Sequence, residues 1–363
     1  MSAQRKAACQ QANCTRYQPG QTTGHYESFF VRANHPTRSL AFWIRYTLFS
    51  PKQHPENALG ELWAIVFNGE TGQHVAVKKE VPFGQCTFKT AEFFVTVADA
   101  RLAPGRVQGA ATAGGHTIAW DLSFGGESQP LFLLPLNLYE ASLPKAKSLV
   151  ALPLARFNGS LAVDGEEIEV SNWVGSQNHN WGAKHTDLYA WGQVADFDND
   201  PDGFLEVATA RLKIGPVWAP FMTPIVLRHR GEEIALNALM QTIRAQASFD
   251  YFTWHFCSRT DAVSLEGTIS APREAFVGLR YYNPPGGIKQ CLNTKIAACE
   301  LTVTRSGRNG TRTVDTLTTQ QRTAFEILTD DHSHGIELSA CRFSLPRCFG
   351  VNYLHSCFIW RLS

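Results

Sequence analysis

The sequence contains no long uninterrupted run of hydrophobic residues. Residues 1–24 are polar and include Arg5 and Lys6, and no later stretch has the length of a membrane-spanning helix without charged residues. These absences argue against a signal peptide and against a transmembrane helix. We therefore expect a soluble, cytoplasmic protein, with at most peripheral contact with a membrane.

An excess of charge of either sign is also absent. The 363 residues include 33 Lys and Arg and 32 Asp and Glu, which gives a net charge of +1 at pH 7. Proteins that bind nucleic acids use a positive excess to neutralise phosphates. We therefore expect no nucleic-acid partner, and the sequence leaves the oligomeric state open.

Paired cysteine motifs are missing as well. The chain has nine cysteines, an odd number, with no CxxC pair and no close alternation with histidine. They are Cys9, Cys14, Cys86, Cys257, Cys291, Cys299, Cys341, Cys348 and Cys357. This pattern is typical of free thiols in a reducing compartment and not of a disulfide framework or a zinc site.

In place of long helical periodicity, the chain has short segments in which apolar and polar residues alternate, separated by Gly, Pro and Asn. This pattern predicts an all-β protein. Two sets of such segments predict two similar antiparallel barrels in tandem, over residues 24–182 and 183–305, without a convincing internal sequence repeat. Residues 1–23 are predicted as a polar leader and residues 306–363 as an irregular tail. The proline-rich residues 130–153 are predicted as an extended crossing segment that is neither a helix nor a central strand.

A polar and aromatic segment lies where the two sets meet. Residues 174–182 include His179 and Asn180, and His185 and Tyr189 follow closely. Imidazole and amide groups orient water or accept a proton near neutral pH. The same side chains also suit a structural role, in which they hydrogen-bond the loop between the barrels. Because His179 and His185 are six residues apart without an obvious third ligand, no metal site is predicted here.

Several short motifs occur in a characteristic order. They are Tyr26-Glu27-Ser28-Phe29-Phe30-Val31-Arg32-Ala33-Asn34, Trp120-Asp121-Leu122, Pro144-Lys145-Ala146-Lys147, Asn178-His179-Asn180-Trp181-Gly182 and Tyr189-Ala190-Trp191-Gly192. Over residues 24–304 this order resembles the lipocalin-like superfamily of carotenoid 1,2-hydratases (hydroxyneurosporene synthases), tocopherol cyclases and AttH-like proteins. The resemblance implies two tandem calycin-like barrels with a hydrophobic ligand in or between them. It also implies protonation of an isoprenoid alkene, followed by cyclisation or addition of water; some fungal relatives shape pericyclic cyclisations.

Protonation of an alkene requires a strong acid, and a carboxylic acid serves when apolar surroundings raise its pKa. Asp121 is the first candidate because it lies in an otherwise largely apolar strand, and Glu27 and Glu92 are further candidates. Alternation places Asp121 on the face of Ala119 and Ser123, so both an inward acid and a solvated carboxylate remain open. No cofactor is expected for this chemistry.

Aromatic side chains are numerous, with 23 Phe and 9 Trp. Aromatic faces stabilise a carbocation through their quadrupoles. The candidates for substrate contact are Trp43, Trp63, Trp181, Trp191 and Trp254, with Tyr189 as a polar donor, although each also suits plain packing in a core.

Residues 198–203 match the opening of a calcium-binding loop. Asp198, Asp200 and Asp202 alternate and Gly203 follows, but the twelfth position is Thr209 in place of a bidentate glutamate. A solvent-facing acidic hairpin tip is the favoured interpretation.

Three functions are therefore compatible with the sequence. The favoured one is a cofactor-independent isoprenoid cyclase or hydratase that protonates a hydrophobic polyene in an aromatic-lined cavity. The alternatives are a non-catalytic carrier of a hydrophobic ligand and a pericyclic cyclase that works through shape and hydrogen bonds. The substrate is in each case a hydrophobic small molecule.

Overall fold

The computed structural model describes residues 2–307 and 311–338. It consists of two large antiparallel β-sheets, one nearly closed barrel and one half-barrel, which confirms the predicted all-β two-barrel fold. The helices within the described residues are short, at Ala3–Gln10 (α1), Asn137–Glu140 (α2) and Leu239–Arg244 (α3). None of these described helices has the length and apolarity to span a membrane.

The first sheet contains twelve strands from the first half of the chain. They are β1 (His25–Asn34), β2 (Leu40–Ser50), β3 (Leu59–Asn68), β4 (Val75–Pro82), β5 (Cys86–Phe88), β6 (Val95–Val97), β7 (Ala100–Ala103), β8 (Arg106–Ala113), β9 (His116–Gly125), β10 (Leu131–Phe132), β11 (Ala146–Val163) and β12 (Glu166–Gly182). Their order is β4-β3-β2-β1-β12-β11-β9-β8-β7-β6-β5, and β10 pairs with β11. Strand β4 lies against β8 and β9, so this sheet nearly closes on itself.

The second half of the chain forms the other large sheet and one small hairpin. The strands are β13 (Leu188–Phe197), β14 (Asp200–Arg211), β15 (Lys213–Ile214), β16 (Val217–Trp218), β17 (Ile225–His229), β18 (Glu232–Leu236), β19 (Gln246–Asp250), β20 (Thr253–Arg259), β21 (Val263–Ser270), β22 (Val277–Tyr282), β23 (Ile288–Ser306) and β24 (Arg312–Thr329). The sheet order is β18-β17-β14-β13-β24-β23-β21-β20-β19, with β22 on β23 and a separate β15-β16 pair.

The predicted irregular tail is wrong over residues 312–329. These residues form β24, which pairs with both β13 and β23 in the middle of the second sheet. The N-terminal half of β24 is rich in Thr and largely exposed, so its sequence lacks the apolar alternation that marks most strands. Cys341, Cys348 and Cys357 lie outside the described residues, and the six cysteines within them are free thiols.

The predicted crossing segment is also wrong over residues 146–153. These residues belong to β11, a central strand that pairs with β12 and, further along, with β9. The strand accommodates Pro153 because its register with β12 shifts on either side of Leu152, and Leu154 has a φ of 53°. Bulges release a backbone position from the hydrogen-bonded ladder, which permits a proline.

Each large sheet encloses an apolar core. Phe42, Tyr46, Trp120 and Phe157 are among the side chains that fill the interior of the first barrel. Trp254, Phe256 and Phe325 lie in the core of the second sheet, and this core is continuous with Trp43 and Trp63 from the first sheet. The two sheets therefore pack against each other through the outer face of the first barrel.

Candidate functional site

The outer face of the first barrel presents aromatic and charged side chains to the second sheet. Successive residues of a strand point to opposite faces, so Phe29 points into the barrel while Phe30 points out of it. Phe30 of β1 is in register with Arg45 of β2, and Arg45 is in register with Trp63 of β3. These strands therefore form a buried wall of alternating aromatic and basic groups.

The second sheet opposes this wall with a row of polar residues. Trp191 of β13 is in register with Glu326 of β24, and Glu326 is in register with Asn293 of β23. Gln193 is in register with Glu206 of β14. Sheet register thus places side chains that are distant in sequence next to one another on one face.

A hydrogen-bonded network joins the two sheets through Gln193. Its Oε1 accepts from Arg32 Nε at 2.7 Å and from Ser176 Oγ at 2.6 Å. Its Nε2 donates to Asn178 Oδ1 and to Glu206 Oε2, both at 2.8 Å. Networks of this kind fix the relative position of the elements that they join.

Glu206 is a buried carboxyl group at the end of this network. Its side chain accepts hydrogen bonds from Trp191 Nε1 and Gln193 Nε2, each at 2.8 Å. Burial raises the pKa of Glu206 to about 7, although these hydrogen bonds and the charge of Arg32 oppose the rise. Near neutral pH the group therefore exists in both protonation states, which suits proton transfer.

Lys295 and Glu326 form a buried ion pair beside Glu206. Lys295 Nζ donates to Glu326 Oε1 at 2.8 Å and to Asn293 Oδ1 at 2.6 Å. Its ammonium lies 5.6 Å from the ring centre of Trp43 and 5.4 Å from that of Trp191. Burial lowers the pKa of Lys295 although Glu326 opposes this effect. The pair places a cation between two indoles from opposite sheets.

Aromatic side chains lie around Arg45 at the same interface. Its guanidinium lies 4.5 Å from the ring centre of Tyr281, and His185 stacks on Tyr26 with ring centres 3.9 Å apart. Burial and the charge of Arg45 lower the pKa of His185 to about 3, so its imidazole is neutral above that pH. A neutral imidazole both donates and accepts hydrogen bonds.

Several of the predicted site residues meet at this interface. Trp43, Trp63, Trp191, Tyr189 and His185 lie between the sheets, and Asn180 is in register with Ser28 on the same face. Tyr189 donates to Glu326 at 3.5 Å, and burial with the neighbouring Cys291 holds the pKa of Tyr189 well above its usual value. Asn180 Oδ1 is buried without a hydrogen-bond partner among the described residues.

Two predicted tryptophans lie elsewhere. Trp254 is in the core of the second sheet, where its Nε1 donates to Thr209 and its ring stacks on Phe325. Trp181 packs against Tyr139 and beneath the guanidinium of Arg16. Both positions are packing roles in this structure.

The expectation that Asp121 is the buried acid is wrong. Asp121 lies on the outer, solvent-facing side of β9, with about half of its side chain exposed, and pairs with Arg106. Its strand neighbours Trp120 and Leu122 fill the barrel, so alternation sends Asp121 outward. Glu92 is likewise exposed and pairs with Lys89.

Glu27 is buried but is held as a carboxylate. Burial opposes its ionisation, but hydrogen bonds from His179 at 2.8 Å and His25 at 3.0 Å lower the pKa of Glu27 to about 2. His179 Nδ1 also donates to the carbonyl of Ala12 at 2.7 Å, so both ring nitrogens donate and the imidazole is protonated. This geometry gives His179 the structural role and removes Glu27 as a proton donor.

The sequence analysis missed Arg45, Glu206, Lys295 and Glu326. Each is a charged residue within a strand whose neighbours two positions away on the same face include an apolar residue. Glu206 lies between Phe204 and Ala208, and Glu326 between Ala324 and Leu328. The same test applied to Asp121 finds Ala119 and Ser123, so it admits Asp121 as well. Glu206 and Glu326 differ from Asp121 only in having an apolar residue on both sides, which is a weak signal.

Asp198 and Asp200 of the β13-β14 hairpin are bound to basic side chains, and Asp202 is exposed. Asp200 accepts from His229 Nδ1 at 2.5 Å, and Asp198 pairs with Arg322. Within residues 2–307 and 311–338, no group of three His, Cys, Asp or Glu side chains is arranged to hold a metal ion.

Comparison with known sequences gives distant relatives. No protein-family model matches the chain. Two uncharacterised proteins from strains of Mycobacterium tuberculosis are each 29% identical to it over 202 residues, which is 55% of this chain and 59% of theirs. The chain thus matches less than two thirds of the length of these relatives.

Two solved structures have a similar fold. A putative AttH protein from Nitrosomonas europaea matches with a TM-score of 0.53 and 12% identity, over 84% of this chain and 91% of that one. Kievitone hydratase from Nectria haematococca matches with a TM-score of 0.51 and 9% identity, over 86% of this chain and 90% of that one. The comparisons confirm, at the level of the fold, the predicted lipocalin-like architecture.

Proposed function

We propose, from the lipocalin-like two-barrel fold and the polar site between its sheets, that this chain is an enzyme of the hydratase or cyclase type. Its substrate is a hydrophobic small molecule with a carbon–carbon double bond. The observation that carries the proposal is the position of Glu206, a carboxyl group that is 2% exposed and is bonded to Trp191 at an aromatic and basic interface.

The first step is proton transfer from Glu206 to the double bond. Both carboxyl oxygens already accept from N–H donors, so the acidic proton is available to a third partner. Protonation forms a C–H bond and leaves a carbocation and the Glu206 carboxylate. The ring of Trp191, whose N–H is bonded to Glu206, stabilises the cation, and the Glu326 carboxylate compensates the charge of the nearby Lys295.

The second step determines the product. In hydration, water adds to the cation and its proton returns to Glu206. In cyclisation, a second double bond or a hydroxyl group of the substrate attacks the cation, and the proton lost at the end returns to Glu206. Neither sequence of steps consumes a cofactor.

The comparison with kievitone hydratase supports this reaction class, because that protein of similar fold is named as a hydratase. The isoprenoid nature of the substrate is part of our proposal and follows the sequence resemblance. The aromatic and apolar side chains around Glu206 suit a substrate of this kind.

Incubation of the purified protein with linear prenyl alcohols in deuterated water tests the proposal. We expect deuterium in a hydrated or cyclised product detected by mass spectrometry. Glu206→Gln removes the acid and is expected to lower turnover at least about a hundredfold with binding retained. Asp121→Asn, a change at an exposed carboxylate, is the matched control and is expected to leave turnover unchanged.

Two results contradict the proposal. Unchanged turnover in Glu206→Gln would remove this residue from the chemistry. Recovery of a bound apolar molecule from the purified protein, with no product from any alkene offered, would favour a carrier.

A further inference from the structure

Arg45 is a buried cation without a bound carboxylate. It is 5% exposed, and Nη2 donates to Ser28 Oγ at 2.7 Å. Its Nε has no hydrogen-bond partner among the described residues, and within them no carboxylate oxygen lies within 4 Å of the guanidinium. A buried charge is ordinarily paired and hydrogen-bonded, because removal from water is costly.

Arg32, on the neighbouring strand, shows how this fold satisfies a structural arginine. Its Nε and Nη2 donate to the side chain and the backbone of Gln193, and Nη1 donates to Asn34 Oδ1. Arg32 and Arg45 lie on the same face, and both are buried. The unused Nε of Arg45 is therefore a local property and not a general feature of the interface.

The nearest acidic residues are already bound to lysines. Glu326 is bonded to Lys295, and Glu61 and Glu80 both pair with Lys78. The charges of Glu61 and Glu326 act on Arg45 through space, but neither carboxylate forms an ion pair with it. Arg45 thus faces the interface as a cation without a carboxylate partner, and its charge matches a single negative charge.

Two indole N–H groups on the same face are also unused. Trp43 and Trp63 are 1% and 2% exposed, and in neither does Nε1 have a hydrogen-bond partner within the described part of the chain. Their ring centres are 6.4 Å apart, and the guanidinium of Arg45 lies 5.7 Å from the ring centre of Trp43. Three buried donors without acceptors therefore cluster on adjacent strands.

One of these tryptophans lines a surface cleft. The cleft has a volume of about 240 Å³ and is lined by Trp63, Lys78, Val277 and Leu279, among other residues. Trp63 contacts both Trp43 and Tyr281, so the cleft borders the group around Arg45 through this ring.

We propose that the site takes a hydrophobic carboxylic acid, whose carboxylate is bound by Arg45 and the indole N–H groups of Trp43 and Trp63. This inference rests on the proposed function, which places the reacting double bond of the substrate near Glu206. It concerns how the substrate is bound and not how the proton is transferred. Oxygen acceptors satisfy the donors, and the planar guanidinium suits a carboxylate. A single uncompensated cation near Glu61 and Glu326 favours a monoanion over a phosphate dianion.

A matched pair of probes tests the inference. Geranic acid and methyl geranate differ in the charge of the head group and not in the hydrocarbon chain. Quenching of tryptophan fluorescence at pH 7.5, checked by calorimetry, gives the affinity of each. We expect the wild type to bind the acid at least about tenfold more tightly than the ester.

Substitution of the arginine should abolish that preference. Arg45→Gln is expected to weaken binding of the acid at least about tenfold and to leave the ester unaffected. Arg106→Gln, at an exposed arginine of the same barrel, is the control and is expected to change neither affinity. Trp63→Phe keeps a ring but removes one N–H donor, and it provides a second test if Arg45→Gln fails to fold.

The outcomes separate recognition from catalysis. Equal affinities of the wild type for acid and ester, or no binding of the acid, would overturn the inference. An undiminished preference for the acid over the ester in Arg45→Gln would overturn it as well. If Arg45→Gln does not fold, the same result in Trp63→Phe would overturn it. A preference for the acid in a protein that turns over no alkene would keep the inference and overturn the proposed function.

Discussion

Glu206 links the candidate chemistry to stability through its protonation state. Its pKa in the folded protein, about 7, lies above the ordinary value of 4.5, so the folded state binds this proton more tightly than the unfolded state. The stabilisation that protonated Glu206 gives to the folded state is therefore fully present below about pH 4.5, and it is lost as the pH rises from there through about 7. The acid that serves the proposed reaction also makes the fold less stable in alkali.

This argument predicts a specific difference between the wild type and Glu206→Gln. Between pH 5 and pH 8 the wild type should lose on the order of 3 kcal/mol in free energy of unfolding that the variant does not lose. Urea denaturation of both proteins at the two pH values measures this difference, because the other titrating groups are common to both. Parallel pH dependence in the two proteins would show that Glu206 titrates normally.

At the residue scale, the sequence predicted part of the candidate site but not its buried acid. Of the five tryptophans predicted to contact the substrate, Trp43, Trp63 and Trp191 meet at the interface, and Trp181 and Trp254 do not. The acid was misplaced because an apolar strand was treated as an apolar environment. A strand residue is buried only if the face of the sheet on which it lies is covered. Asp121 lies on the solvent-facing side of β9, where Ser123 is also exposed.

The N-terminal arm, residues 3–17, is an element whose attachment depends on one carboxylate. Glu27 accepts hydrogen bonds from the backbone N–H groups of Arg16 at 2.7 Å and Tyr17 at 2.9 Å. His179 Nδ1 donates to the carbonyl of Ala12. The side-chain amides of Asn13 and Gln177 form two hydrogen bonds with each other, both 2.9 Å long. The arm also reaches the second sheet, where Arg5 pairs with Glu233.

Glu27→Gln should therefore release the arm. We expect trypsin to cleave after Arg16 at least about tenfold faster than in the wild type at pH 8, because opening of the arm exposes its backbone. Since the pKa of Glu27 is lowered to about 2, its contribution is present above about pH 4.5 and is lost as the pH falls from there to 2. Glu92→Gln, at an exposed carboxylate, is the control, and equal cleavage rates in both variants would contradict this role.

Strand β12 approaches β1 closely at Gly175. A Cβ atom on this residue would lie 1.8 Å from the carbonyl oxygen of Arg32, so a side chain there forces the two strands apart. Gly175→Ala is expected to lower the free energy of unfolding by about 3 kcal/mol or more. Gly84→Ala is the matched control because a Cβ there has no atom within 4 Å. Similar stabilities of the two variants, measured by urea denaturation, would show that the strands adjust freely.

At the element scale, alternation predicted most strands but failed where polar or proline-containing segments pair on both sides. The exposed part of β24 has threonines where other strands have apolar residues, and β11 continues through Pro153 at a bulge. In both cases the hydrogen bonds come from neighbours far along the chain. A local pattern does not report such neighbours.

The two sheets should behave as one cooperative unit. Their apolar cores are continuous through Trp43 and Trp63, and Gln193 hydrogen-bonds residues of both sheets. We expect a single thermal transition, with the same midpoint by tryptophan fluorescence and by far-ultraviolet circular dichroism. A fragment of residues 1–182 should be unstable alone because it exposes this interface. Two separated transitions, or a stable fragment, would contradict the prediction.

At the scale of the whole molecule, the sequence resemblance predicted the two barrels and their ligand in or between them. It did not predict which faces of the barrels meet, because that depends on the register of β1, β2 and β3 with their partners. A slip of one residue in any of these strands would turn its polar row toward the barrel interior.

The position of the candidate site on the outside of a filled barrel bears on how such a protein changes its specificity. A site inside a barrel shares its side chains with the core, so every new ligand demands repacking of the structure that holds it. Here Phe30, Trp43 and Trp63 stand on the opposite face from Phe29, Phe42 and Leu62, which fill the barrel. Residues of the barrel interior and residues of the interface thus alternate along the same strands. Substitutions at the interface leave the barrel interior intact, although they alter the core that is shared with the second sheet.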